Sequence, residues 1–200
     1  MVETQIRARG ISDPAVLQAM ARVPRHQFVP VEYRRRAYDD TPLPIGFGQT
    51  ISQPYIVAHM TEALDLDPTY SVLEIGTGSG YQAAVLAEIV PEVHSIEIVP
   101  ELAAQARVAL EAAGYDNVRV RTGNGYAGWP EQAPFDRIIV TAAPLLVPPA
   151  LIEQLAIGGV MVLPVGTTSQ EIRIIRKSAD GVTSETTIPV RFVPMVDKRQ

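Results

Sequence analysis

The sequence predicts an α/β protein: a Rossmann-like, doubly wound, mainly parallel sheet with helices on both faces, an N-terminal helical and loop extension, and antiparallel C-terminal edge strands. Three observations predict it. From Ser71 onward, short apolar runs alternate with stretches of helical periodicity, the pattern of a parallel sheet covered on both faces. Directly after the first apolar run come Gly76, Gly78 and Gly80, a turn placed where such folds bind ligands. Near the end, Asp180-Gly181 separates two β-branched runs and reads as a hairpin turn.

The elements follow in order. Asp13 to Val23 reads as a short helix: Asp13 is a candidate N-cap, Pro14 suits the first turn, and Val16, Met20 and Val23 share a face. Pro24, Pro30, Pro42, Pro44, Gly46 and Gly48 then break the pattern, so the stretch to Tyr55 is expected to be a shaped lid or binding loop. Ser71 to Ile75 and Val93 to Ile98 read as strands. Each is followed by a helix, Tyr81 to Val90 and Glu101 to Ala113, the second ended by Gly114. Val118 to Arg121, Phe135 to Thr141 and Val160 to Val165 are further strands, with a helix from Pro149 to Ala156 stopped by Gly158 and Gly159. Gln170 to Arg176, Val182 to Ile188 and Val190 to Pro194 read as the sequential edge strands. The chain parses as one domain: extension and lid at 1–55, ligand-binding core at 56–166 and C-terminal strands at 167–200.

Composition excludes several functions. Apolar residues make up 46% and charged residues 20%, which suits a packed core and rules out a disordered or fibrous chain. With 17 Lys and Arg against 22 Asp and Glu the net charge is −5, so a nucleic-acid footprint is not expected. There is no cysteine, and therefore no disulfide, thiolate metal site or cysteine nucleophile. Met1 to Gly10 is polar, which predicts a cytoplasmic protein. The longest uncharged apolar stretch, Ile138 to Ile152, is short of a bilayer span and carries three prolines, so no membrane partner is expected.

The strongest local signal is VLEIGTGSGY, Val72 to Tyr81. Its G-x-G-x-G spacing lets backbone press against a ligand but lacks the G-x-G-x-x-G of a pyrophosphate site, and Glu74 would oppose an anion. A cofactor with adenosine but no phosphates fits better, and S-adenosyl-L-methionine is one. Glu97, 23 residues beyond Glu74, ends the second strand, where a carboxylate can accept from ribose hydroxyls; nicotinamide cofactors use the same placement, and a solvated glutamate is the plain alternative. Gly123, Asn124 and Gly125 follow the third strand; Asn124 either meets an adenine edge or makes an Asn-Gly turn.

GFGQTISQPY, Gly46 to Tyr55, holds no histidine or acid to activate Ser52, so a hydrolase triad has no support. Ser52 reads as a hydrogen-bonding group or as the cap of a helix starting near Pro54. His26, His59 and His94 lack ligand spacing and read as structural, so no metal is expected. Arg22, Arg25 and Arg34 to Arg36 are candidates for a carboxylate-binding surface or a solvated face. Trp129 reads as core.

Taken with VPRHQFVP at Val23 to Pro30, AYDDTPLPIGFGQTISQPY, GGVMVLPVG and RFVPMV, these motifs make the chain resemble the protein-L-isoaspartate O-methyltransferases over nearly its whole length. TISQP is the most specific part, since the glycine turn is shared by class I methyltransferases at large. The resemblance implies an enzyme that transfers the methyl group of S-adenosyl-L-methionine, leaving S-adenosyl-L-homocysteine, to the α-carboxyl of L-isoaspartyl residues in damaged proteins and peptides, starting their repair through a succinimide. It implies Ser52 as the active-site serine and Thr50 and Ile51 as lining of the cofactor pocket. Glu74, Gly76, Thr77, Gly78, Ser79, Gly80, Glu97, Ile98, Gly123, Asn124 and Gly125 would hold the cofactor. The family commonly has Asp where this chain has Asn124, whose amide oxygen can still accept. A monomer is expected. Three other readings stand beside it: a methyltransferase acting on a small molecule or RNA; a nicotinamide oxidoreductase, which should show G-x-G-x-x-G and a Tyr/Lys proton donor; and a non-catalytic adenosine-binding module.

Overall fold

Strands covered on both faces must be apolar on both, and Phe135–Val140 and Ser71–Ile75 are almost wholly buried. In the computed structural model, which describes residues 1–197, they form the centre of a seven-stranded sheet; the last three residues of the expected 167–200 segment lie outside the described residues. The elements run α1 (Pro14–Arg22), β1 (Leu43–Gly46), β2 (Gln49–Ile51), α2 (Pro54–Ala63), β3 (Ser71–Ile75), α3 (Tyr81–Ala87) and β4 (Glu92–Glu97). They continue with α4 (Pro100–Ala112), β5 (Val118–Thr122), β6 (Phe135–Val140), α5 (Pro149–Gln154), β7 (Leu155–Gly166), β8 (Gln170–Ser178) and β9 (Gly181–Val190).

Strand order is β5-β4-β3-β6-β7-β8-β9, parallel from β5 to β7 and antiparallel at β8 and β9. The chain leaves β3 toward β4 and β5, then returns to the other side of β3 as β6. That reversal opens a crevice at the carboxyl ends of the strands. Alternate residues feed two cores. Val72, Val93, Ile139 and Val162 pack with side chains of α1 to α4, while Leu73, Ile75, Ile138, Val140 and Met161 pack with Leu151 of α5 on the opposite face.

Local chemistry sets the helix ends. Asp13 caps α1, its carboxylate accepting from the backbone N–H of Ala15 and Val16 at 2.7 and 3.1 Å, with Pro14 as the first helical residue. α4 ends at Gly114, whose φ of +86° is the left-handed conformation of a C-cap. The proline-rich stretch before Tyr55 forms 3-10 turns at Arg25–Phe28 and Val31–Arg36, then the hairpin β1–β2. Phe47 and Gly48 at its tip both have positive φ, +53° and +69°, as a two-residue primed turn requires.

Two expectations are corrected. The helix from Pro149 ends at Gln154, and Gly158 and Gly159 lie inside β7, in a bulge between the pairs Phe135↔Leu155 and Arg137↔Val160. Gly158 has φ of +83°, and a Cβ on Gly159 would meet Ala156 O at 2.8 Å, so glycine is required by the bulge and not by a helix stop. Val190 to Pro194 is not a separate strand. β9 ends at Val190 and the chain crosses the carboxyl edge of the sheet, held to Ala143 by two 2.8 Å backbone bonds at Val193 and Met195.

Candidate active site

The crevice is floored by the glycine turn, walled by the β2–α2 turn on one side and closed by the crossing segment Phe192–Val196 on the other. Glycine is dictated at specific points. Gly76 has φ of +98°, and a Cβ there would lie 2.5 Å from Thr141 Oγ1, which itself donates to Gly76 O at 2.6 Å. Gly80, at +89°, opens α3 where a Cβ would meet Leu110 of α4 at 3.2 Å. The turn is thus pinned between β6, α4 and, through Ile45 over Gly78, the β1–β2 hairpin.

Glu97 ends β4 and is 5% exposed. Its Oε2 accepts from Gly78 N at 2.8 Å and its Oε1 from Val99 N at 2.9 Å, so the carboxylate shapes the glycine turn and the entry to α4 together. Each oxygen keeps a second lone pair, and the side chain lines the crevice. Glu74 lies beneath the turn, fully buried, and does not reach the crevice. Ser95 Oγ donates to its Oε2, and Thr77 Oγ1 lies 2.5 Å from Ser95 Oγ. Burial pushes the Glu74 carboxyl up to about 8, against the Ser95 hydrogen bond and aided by the Glu97 charge. Mostly protonated at neutral pH, Glu74 presents little of the charge that sequence reasoning set against an anionic ligand.

Of the expected site residues, Thr50, Ile51, Ser52, Gly76, Thr77, Gly78, Ser79, Glu97, Ile98 and Gly125 line one crevice. Glu74, Gly80, Gly123 and Asn124 do not line it. Asn124 is exposed, and its Oδ1 accepts from Tyr126 N at 2.9 Å, the Asn-Gly turn arrangement. Ser52 does not cap α2: Gln53 is the N-cap, without a side-chain bond, and the Ser52 hydroxyl makes no hydrogen bond among the described residues. Arg34 to Arg36 are exposed and do not line the crevice, whereas Arg25 is fully buried. The histidines lie apart: His26 on Tyr38, His59 stacked on Tyr55, His94 between Trp129 and Phe135. Among the described residues no group of three His, Asp or Glu side chains could hold a metal, and no helix is long and apolar enough to cross a membrane.

Sequence reasoning missed the crossing segment and Thr141–Ala142 as walls. RFVPMV was a usable signal, since Pro194 lacks the N–H that a continuing strand would donate. Chemically the crevice is spare. Its only titratable lining groups among the described residues are Glu97 and Tyr81, and burial pushes Tyr81 up to about 12. It offers hydroxyls, backbone and one carboxylate, but no general base.

Residues 1–200 match the family model described as Protein-L-isoaspartate(D-aspartate) O-methyltransferase. The chain is 56% identical over 201 residues to the Protein-L-isoaspartate O-methyltransferase of Gloeobacter violaceus, covering 100% of this chain and 98% of the relative. It is 58% identical over 195 residues to that of Picosynechococcus, covering 98% and 88%. Among solved structures it resembles a Plasmodium falciparum protein described as a protein-L-isoaspartate O-methyltransferase in complex with S-adenosyl-L-homocysteine. There the TM-score is 0.87 at 26% identity, covering 98% of this chain and 97% of that one.

Proposed function

The chain belongs to the protein-L-isoaspartate(D-aspartate) O-methyltransferase family, and on that premise we propose how its crevice carries the family's reaction. The protein methylates the α-carboxyl of L-isoaspartyl residues in proteins and peptides, with S-adenosyl-L-methionine as methyl donor. The observation that carries the proposal is the crevice lined by Glu97, the glycine turn and Ser52, with no general base. Its fit to the cofactor rests on the Glu97 carboxylate, which keeps lone pairs free beside a turn where a side chain at Gly76 would clash. Glu97 holds the ribose hydroxyls, and the turn from Gly76 to Ser79 approaches the amino-acid end through backbone. Thr50, Ile51 and Ile98 pack the remaining faces, and Gly125 leaves room at the wall. S-adenosyl-L-methionine supplies a methyl group on a sulfonium, an electrophile needing no activation.

The nucleophile needs none either. In an isoaspartyl residue the chain runs through the β-carboxyl and leaves the α-carboxyl free; an α-carboxyl ionises at roughly 3.3–3.7, so it is an anion at neutral pH and no proton has to be removed. What remains is alignment, which can supply about 7–11 kcal/mol of the barrier. Ser52, with an uncommitted hydroxyl, donates to one carboxylate oxygen and turns the other toward the methyl group. The ester then suffers attack by the neighbouring backbone nitrogen, which expels methanol and closes the succinimide; opening by water restores aspartate in part. The proposal includes a monomer as the working unit. It also places the enzyme in the cytoplasm, where a chain without cysteine makes no demand for an oxidising compartment.

Ser52→Ala tests the serine. Peptide methylation should fall about 10- to 100-fold with S-adenosyl-L-homocysteine affinity kept, as expected when a positioning contact is lost. Wild-type turnover would remove Ser52 from the mechanism.

A further inference from the structure

Among the described residues Arg25 is the largest fully buried side chain, and it makes no ion pair. A cation with no carboxylate in contact is expensive to bury, even with the more distant Asp40 charge favouring it, and an apolar side chain of similar volume often serves a core better. What an apolar residue cannot do is donate in two fixed directions. Arg25 Nε donates to Ala37 O at 2.7 Å, and Nη2 donates to Ser52 O at 2.7 Å. The guanidinium carbon lies 4.7 Å from the centroid of the Tyr81 ring, the first residue of α3. Nη1 is buried without a hydrogen-bond partner. One side chain therefore ties three segments: the end of the 3-10 turn at Val31–Arg36, the β2–α2 turn, and the helix that follows the glycine turn.

Near Ser52 the β2–α2 turn has, among the described residues, one other side-chain tie, Asp40 Oδ1 accepting from Tyr55 N at 3.3 Å. The serine hydroxyl is uncommitted, Gln53 contributes no side-chain cap, and α2 begins through the long Val57 N to Gln53 O bond of 3.2 Å. The Ser52 carbonyl belongs to the peptide plane joining Ser52 to Gln53. Holding that oxygen fixes the ψ of Ser52 and so the place of its Cα–Cβ bond, the base about which χ1 swings the hydroxyl. We propose that Arg25 is a positioning residue for methyl transfer: its guanidinium holds the Ser52 carbonyl and so aims the Ser52 hydroxyl at the substrate carboxylate. This rests on the reading of Ser52 as the carboxylate-binding serine. Lysine, a single point donor, can satisfy one of the two carbonyls but cannot span both.

The test is a double-mutant cycle. Arg25→Lys and Arg25→Gln are each made in the native chain and in Ser52→Ala, and four quantities are measured: melting temperature, affinity for S-adenosyl-L-homocysteine, and kcat and KM for an isoaspartyl peptide. If Arg25 acts through the serine, Arg25→Lys lowers kcat/KM about 10- to 100-fold where Ser52 is present, the scale of an ångström-sized misplacement. The same change costs less than about threefold where Ser52 is already Ala, because coupled residues are non-additive. Cofactor affinity stays within about threefold in both, and Lys retains more activity than Gln. Equal losses with and without the serine hydroxyl overturn the positioning role while leaving Ser52 intact. Wild-type turnover by Ser52→Ala alone overturns the serine reading and the clamp with it. If neither Arg25 variant folds, Arg25 is a folding residue and the assignment falls.

Discussion

Glu97→Gln separates the two tasks that the structure gives one carboxylate. The native side chain accepts from Gly78 N at 2.8 Å and Val99 N at 2.9 Å while lining the crevice. Each bond to a charged acceptor contributes about 1.5–3 kcal/mol. Alanine removes both, about 3–6 kcal/mol, a large part of the roughly 5–15 kcal/mol that holds a domain together. Glutamine is more informative, because it keeps one acceptor and presents an amide donor to the other N–H. Stability should then fall by about 1.5–3 kcal/mol. At 2–4 °C per kcal/mol for a chain of this size, the melting temperature should drop by about 3–12 °C. The ribose meets a neutral group in place of a charged one, and S-adenosyl-L-homocysteine affinity should weaken by about 1–3 kcal/mol, roughly 5- to 150-fold. Calorimetric titration and thermal melting on the same samples read both numbers. A lowered melting temperature with unchanged affinity would refute the ribose contact and leave Glu97 as a brace for the glycine turn.

Gly125→Ala places a Cβ 2.3 Å from Ile75 Cγ2 and 3.1 Å from Met195 Cε, so overpacking should cost about 1–3 kcal/mol and push the crevice wall inward. Gly114→Ala meets nothing within 4 Å and bears only the strain of φ +86°, about 1 kcal/mol; equal cofactor affinity in the two variants would contradict the wall assignment. For Glu74, the folded carboxyl is raised to about 8 from an unfolded 4.5, so its contribution to stability is full below about 4.5 and lost as pH rises through about 8. Glu74→Gln has no proton to lose. Its urea-unfolding free energy relative to wild type should rise between about pH 4.5 and 8 and level off above, and a pH-independent difference would contradict the burial-driven shift.

The sheet was legible because two-sided burial leaves most of β3 and β6 apolar, with Glu74, Asp136 and Arg137 the charged exceptions, and Asp13 and Gly114 carried cap signals that act within a few residues. The glycine turn was legible for the same local reason: alternate glycines have meaning wherever they follow a strand. Misreadings arose where distant partners decide. Gly158 and Gly159 look like a helix stop, but pairing of β7 with β6 recruits them into a bulge. Val190 to Pro194 is β-prone, yet past Val190 its bonds are to the Gln170 side chain at Phe192 and to Ala143, 50 residues before Val193, so no short window of sequence contains them. Arg25 reads as one of several surface arginines until the fold wraps Ala37, Ser52 and Tyr81 around it.

The central claim is that geometry alone selects the substrate in a crevice without acid–base chemistry. L-Isoaspartyl and L-aspartyl versions of one peptide differ by a methylene moved between side chain and main chain. Both present ionised carboxylates, so intrinsic reactivity cannot distinguish them, while a displacement of about 1 Å can cost on the order of a hundredfold in rate. Incubation of the two peptides with methyl-labelled S-adenosyl-L-methionine should label the isoaspartyl peptide at least about a hundredfold faster. Comparable labelling of the two, or of neither, would contradict the account.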